Sequence, residues 1–228
     1  MSRLMRRSPW FAAALCLPAL AATAVGWEEW KSGIVWQEPP IVEPGDTSAD
    51  PPSDAIILFA GTDLSQFQNA EKWTVEHGVA TAGGKSITTK QKFGDVQVHL
   101  EFRSPMEVEG RGQGRGNSGL YLMNRYEVQI LDSYQNAAAV ETSAGALYKQ
   151  SPPLVNASRK PGRWQSFDVI FEAPRFDANG TVIRPARATV LHNGVAVQVR
   201  RPLLGATARL KGRRGQYIGH PEKESFNL

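Results

Sequence analysis

The chain has 228 residues, 41% hydrophobic and 21% charged, an ordinary globular composition with enough apolar content for a core. That length fits one all-β domain or two small ones. Lys and Arg number 26 against 22 Asp and Glu, but Arg3, Arg6 and Arg7 sit in a segment that reads as removable, and without them the balance is 23 against 22. This near-neutrality argues against a nucleic-acid partner. The one cysteine, Cys16, lies in the same segment. The rest of the chain therefore has no disulfide, thiol nucleophile or thiolate metal site.

The chain opens on a basic stretch, "MSRLMRR", followed by the apolar run "PWFAAALCLPALAATAV" and the small-residue triplet Ala22-Thr23-Ala24. This is the pattern of a secretory signal peptide cleaved after Ala24. The run is a little short for a membrane span and contains prolines, so no stable span is expected after cleavage. The expected destination is the periplasm or the exterior. Residues 25–54 follow. "GWEEWKSGIVWQ" holds three tryptophans, and "QEPPIVEPGDTSADPPSDA" is Pro- and acid-rich without apolar period. It reads as an extended lead into the domain at 55–228.

From Ala55 on, the signals are those of strands. "AIILFA" is a short apolar run, and "DLSQFQNAEKW" hints at a helical turn. "WTVEHGVATAGG" reads as a hairpin turning at His77-Gly78. "VQVHLEFR" alternates strictly. "GLYLMNRYEVQILD" is two strands joined through Met123-Asn124-Arg125, and "WQSFDVIFEA" alternates again. In "RATVLHNGVAVQVR", Asn193-Gly194 between β-branched runs is a strong hairpin signal. Many short strands with Gly and Pro turns predict an antiparallel β-sandwich or jelly roll.

Alternation puts successive side chains on opposite faces of a strand. Val96, Val98, Leu100 and Phe102 oppose Gln97, His99, Glu101 and Arg103. Tyr126, Val128 and Ile130 oppose Arg125, Glu127 and Gln129. Phe167, Val169 and Phe171 oppose Trp164, Ser166 and Asp168. A solvated face explains any single strand of this kind. Together the three polar faces lack lysine and repeat acids, amides, a histidine and an aromatic, groups suited to a polyol. They predict one shared site with Glu101, Glu127, Gln129 and Asp168 on one sheet face. The Gly- and Arg-rich loop "EVEGRGQGRGNSG" precedes the second strand and reads as its rim. Other chemistries lack their motifs: no HExxH or zinc spacing, no GxSxG elbow, no phosphate loop and no dinucleotide fingerprint is present.

The stretches "FAGTDLSQF", "GNSGLYL", "RYEVQILDS", "PPLVNA" and "PARATVLHNGVAVQ", in this order, resemble the 3-keto-disaccharide hydrolase domain family from about Ile56 to the C-terminus. The resemblance implies a concanavalin A-like sandwich whose concave sheet binds a sugar oxidised at C3, and cleavage of its glycosidic bond. It places Glu127, Gln129 and Asp132 on the family's E-x-Q-x-x-D strand and Glu101 on its L-E-F-R strand. Base and acid are expected among Glu127, Asp132, Glu101 and His99. Gln129, Arg125, Tyr121, Trp164, Asp168 and Asn117 are expected to bind the sugar. No particular cofactor is implied, and a divalent cation stabilising the enolate is compatible with the chemistry. Lys149 stands where the family has glycine. The chain ends at Leu228, where the family continues into a further strand, so that strand is expected to be missing from this sequence, and without it an exposed sheet edge is expected. The alternative on the same fold is a non-catalytic carbohydrate-binding module.

Overall fold

The structure is a computed structural model that describes residues 29–47, 50–207 and 215–228. The signal sequence expected over residues 1–24 lies outside the described residues. Two units are present, Met1–Asp54 and Ala55–Leu228. In the first, the Pro-rich segment has no helix or strand, and Trp30 and Trp36 are exposed. One of its turns is pinned by Asp50, whose Oδ2 accepts from Thr47 N (2.9 Å) and Thr47 Oγ1 (2.8 Å).

Among the described residues the second unit has twelve strands. They are β1 (Phe67–Gln68), β2 (Thr74–Glu76), β3 (Val79–Thr81), β4 (Thr88–Thr89), β5 (Val96–Phe102), β6 (Asn117–Leu122), β7 (Tyr126–Leu131), β8 (Gln165–Glu172), β9 (Arg175–Phe176), β10 (Val182–Arg184), β11 (Arg187–His192) and β12 (Val195–Pro202). All pairings between them are antiparallel. One layer is the four-stranded sheet β12-β11-β8-β5. The other is assembled from β1-β4 and β6-β7, joined by bridges from Thr88 and Tyr121 to Asn227. Residues 224–228 thus lie between β4 and β6. Thr89 N donates to Phe226 O, Ile87 N to Leu228 O, and Tyr121 N to Asn227 O. Phe226 is buried in the core, so the middle of this layer is filled by the chain's own last residues.

The core lies between the layers. Leu120, Leu122, Tyr126, Val128 and Ile130 meet Phe167, Val169, Phe171, Ala188, Val190 and Val197. Tyr126 approaches Phe171 at 5.7 Å between ring centroids, and Phe102 lies 4.9 Å from Phe167. Val98 and Leu100 are half-buried and pack against this cluster from β5. The hairpins at His77-Gly78 and Asn193-Gly194 form as expected, with all four turn residues at positive φ. That conformation matches the right-handed twist of the flanking strands. Two expectations fail. "AIILFA" is not a strand, and Ile56 and Ile57 are exposed. Residues 63–73 form turns and β1 rather than a helix, fixed by Trp73 Nε1 donating to Lys85 O at 2.6 Å.

His192 is fully buried at the end of β11, with Nε2 2.9 Å from Gln165 Oε1. An amide oxygen can only accept, so Nε2 carries the proton. Nδ1 has no partner among the described residues. A second proton there would have no acceptor. Burial, and secondarily the charge of Arg159, push this histidine down from 6.5 to about 4. Between pH 6.5 and 4 the unfolded chain therefore binds more protons than the folded one, and stability falls as pH falls through that window. The loss is expected to reach roughly 3 kcal/mol by pH 4. Urea unfolding at pH 7 and 4.5, compared with His192→Gln, checks this: the variant should lose clearly less on acidification.

Candidate functional site

The expected shared face is corrected by the sheet topology. β5 and β8 belong to one layer and β7 to the other. His99, Glu101 and Asp168 point away from the core on the first layer, because Val98, Leu100, Phe167 and Val169 point into it. Glu127 and Gln129 point away from the core on the second layer, because Tyr126, Val128 and Ile130 point inward. Packed sheets lie about 10 Å apart, and side chains on their outer faces diverge further. The two sets cannot share a substrate.

On the β5–β8 face, His99 Nδ1 lies 2.7 Å from Asp168 Oδ1, and both side chains are more than a third exposed. Glu101 is exposed and sits across from Ser166. Trp164 is partly exposed, and the guanidinium of Arg103 covers its ring at 5.0 Å. This is a solvated face carrying one paired dyad and one covered aromatic.

The β6–β7 face is different. β7 is buried along its whole length, including Glu127 at 5% exposure and Gln129 at 1%. Register places Tyr121 across from Glu127, Gly119 across from Gln129, and Asn117 across from Leu131. These residues share the outer face. On its free edge β7 is joined by residues 145–148. Gln129 N donates to Ala146 O, Gly145 N to Gln129 O, and Tyr148 N to Glu127 O. Thr207 Oγ1 accepts from Glu127 N at 3.4 Å and from Gln150 Nε2 at 3.2 Å.

The carboxylate of Glu127 lies across the hairpin toward Gly119. Turned so that its nitrogen faces the oxygens around it, the Gln129 amide donates to Glu127 Oε1 and to Ser118 O, each at 3.0 Å. The same amide adjoins the side chains of Gln113 and Asn117, and Asn117 Nδ2 donates to Gln113 O at 2.9 Å. The site is thus a buried acid held by an amide network.

Asp132 ends the strand and is 4% exposed. Its Oδ2 pairs with Arg115 at 2.5 Å, and Arg115 also donates to Tyr134 O at 3.0 Å. Arg115 Nε is buried without a hydrogen-bond partner among the described residues. The pair forms one wall of a hollow of about 420 Å³ completed by Pro105, Glu107, Val108, Glu109, Gly114 and Gly116. The Gly- and Arg-rich loop therefore is a rim, and it holds its shape through Asn136, whose side chain bonds Gly112 N and Gly112 O at 2.8 and 3.0 Å.

Glu127, Gln129, Tyr121, Asn117 and Asp132 thus come together around one hairpin. Arg125 is spent elsewhere: its guanidinium grips Glu224 at 3.1 and 3.4 Å and ties the hairpin to the C-terminal segment. Gln113, Arg115 and Thr207 are the site residues that sequence reasoning missed. The Gly-rich rim pointed at the first two only as a loop, since a run without period does not say which side chains turn inward. Among the described residues no three His, Cys, Asp or Glu side chains converge as metal ligands.

The profile of the 3-keto-alpha-glucoside-1,2-lyase-like domain matches residues 54–224. A crystal structure of a "putative glycosyl hydrolase" from Parabacteroides distasonis ATCC 8503 superposes with a TM-score of 0.76 at 39% identity, covering 86% of this chain and 91% of that one. Two further structures from the same organism, also described as "putative glycosyl hydrolase", give TM-scores of 0.53 and 0.51. Their identities are 19% and 15%, each covers 75% of this chain, and 88% and 85% of their own lengths are matched. At those identities they show the fold alone. No curated protein matches. The chain belongs to the 3-keto-alpha-glucoside-1,2-lyase-like domain family, as an antiparallel β-sandwich that acts on glycosides.

Proposed function

We propose that this protein cleaves the glycosidic bond of glycosides already oxidised at C3, with Glu127 as the base. The observation that carries this reading is the Glu127 carboxylate, nearly buried on the outer face of β6–β7, with the Gln129 amide 3.0 Å away and Tyr121 across the hairpin.

A ketone at C3 acidifies the hydrogen on C2. Glu127 takes that proton, and the C2–H electrons form an enolate with the C3 oxygen. As the carbonyl re-forms, a C1=C2 double bond forms and the C1–O bond to the aglycone breaks. The departing oxygen takes a proton from solvent, and the protonated Glu127 gives its proton back to C2 or to solvent as water adds. Water added across C1=C2 completes a net hydrolysis. A positioned base of this kind is worth about 10²–10⁴ in rate. The ring of Tyr121 serves as a wall for the sugar's apolar face. Gln129 orients the carboxylate. Asp132 supports the Arg115 side of the adjoining hollow rather than taking part in proton transfer, since Arg115 occupies its Oδ2.

The reaction is tested with a matched pair of substrates, a 3-keto-glucoside and its unoxidised parent. Only the keto sugar should be cleaved, because without the carbonyl the C2 carbanion has nowhere to place its charge. Cleavage of both at similar rates would point instead to two-carboxylate glycoside hydrolysis.

We further propose that the protein is exported and that its mature form begins at Val25. The basic start, the apolar run and Ala22-Thr23-Ala24 support this. Among the described residues no helix is long and apolar enough to cross a membrane. N-terminal sequencing of protein recovered from the cell envelope should read Val25; an intact Met1 on protein in the cytoplasm would refute it.

A further inference from the structure

We infer that Gly119 is a positioning residue: its missing side chain is the seat on which the Glu127 carboxylate rests. This rests on the reading of Glu127 as the base. Gly119 lies inside β6, and its backbone is not in the left-handed region that demands glycine. Glycine in a strand interior weakens the strand, so its presence needs another cause. The cause is close approach. A Cβ placed on Gly119 would lie 2.7 Å from Glu127 Oε1, 3.1 Å from Glu127 Cγ and 3.1 Å from Tyr121 Cε2.

The nearest of these contacts is roughly 1 Å short of ordinary van der Waals separation. All three atoms belong to side chains of the proposed site, and the closest is the terminal oxygen Oε1 of Glu127. A methyl group at 119 is therefore relieved by swinging Glu127 away, not by moving backbone. The same swing breaks the 3.0 Å contact between Glu127 Oε1 and the Gln129 amide. Gly119 also sits directly across from Gln129 in register, so carboxylate, amide and glycine form one triangle on the hairpin floor. Both strands must carry the right residue at these positions for the base to lie flat against the sheet and face a bound sugar.

The test is a cycle of Gly119→Ala and Glu127→Gln in the full chain, assayed on a 3-keto-glucoside, with circular dichroism and thermal unfolding as controls. Gly119→Ala should fold and lower kcat by about tenfold to a hundredfold, the usual cost of displacing a reacting group by this much, with KM nearly unchanged. Glu127→Gln should then cost much less in the Gly119→Ala background than in the native chain, because the carboxylate is already out of place. Native kcat in Gly119→Ala overturns the inference. So does a full, multiplicative cost in the double variant, which would mean that Gly119 acts independently of Glu127. So does failure of Gly119→Ala to fold, because the three nearest contacts are with side chains that can shift. In each of these cases a crippled Glu127→Gln leaves the base assignment standing. An active Glu127→Gln overturns the base assignment and this inference together.

Discussion

Glu127→Gln is expected to lower turnover on a 3-keto-glucoside by about 10²–10⁴ while the fold survives. The substitution keeps the length and shape of the side chain and removes only its charge and basicity. Its position explains why little else should change. Glu127 is one outward residue on a strand whose inward residues, Tyr126, Val128 and Ile130, carry the packing. The neighbouring Gln129 amide can rotate to pair with an amide as well as with a carboxylate. Binding of the keto sugar should therefore persist in the variant. Loss of binding with unchanged turnover would make Glu127 a positioning residue and move the base elsewhere on the hairpin.

The largest expected stability effect comes from the Arg115–Asp132 pair. Both side chains are largely buried, at 9% and 4% exposure. Removing one member of a buried pair leaves the other charge without its counter-ion, at a cost of about 3–5 kcal/mol. Arg115→Met should show that loss in urea unfolding. Arg115→Met combined with Asp132→Asn should recover part of it, because no bare carboxylate remains. A loss below about 1 kcal/mol would mean that the pair behaves like a surface salt bridge. Because the pair walls the hollow beside the hairpin, Arg115→Met should also weaken substrate binding.

Much of this architecture is legible in the residues. The alternation in 96–103, 126–131 and 164–173 marks β5, β7 and β8 correctly and names most of their core-facing side chains. The turn residues at 77–78 and 193–194 mark two hairpins. What alternation does not encode is which sheet a strand joins. The polar sides of β5 and β7 look alike as sequence, yet pairing with β8 sends one to the first layer and pairing with β6 sends the other to the second. Strand partners are chosen by contacts distant along the chain. The same limit hid the burial of Glu127 and Gln129. A strand with acids and amides on one side reads as half-solvated, and the sequence does not show that Gln113 lies against Gln129 or that residues 145–148 and 207 line the free edge of β7. The chain end is a further case. Residues 224–228 have no strand period, but Phe226 drops into the core and their backbone completes the layer between β4 and β6.

In the proposed reaction, cleavage begins with removal of the C2 proton by Glu127. The most direct measurement is turnover of a 3-keto-glucoside carrying deuterium at C2, beside the protio substrate, in the native protein and in Glu127→Gln. Proton removal at C2 predicts slower cleavage of the deuterated substrate, exchange of the C2 label with solvent, and loss of that exchange in Glu127→Gln. Equal rates for both isotopologues, with the C2 deuterium fully retained in the released sugar, would contradict it.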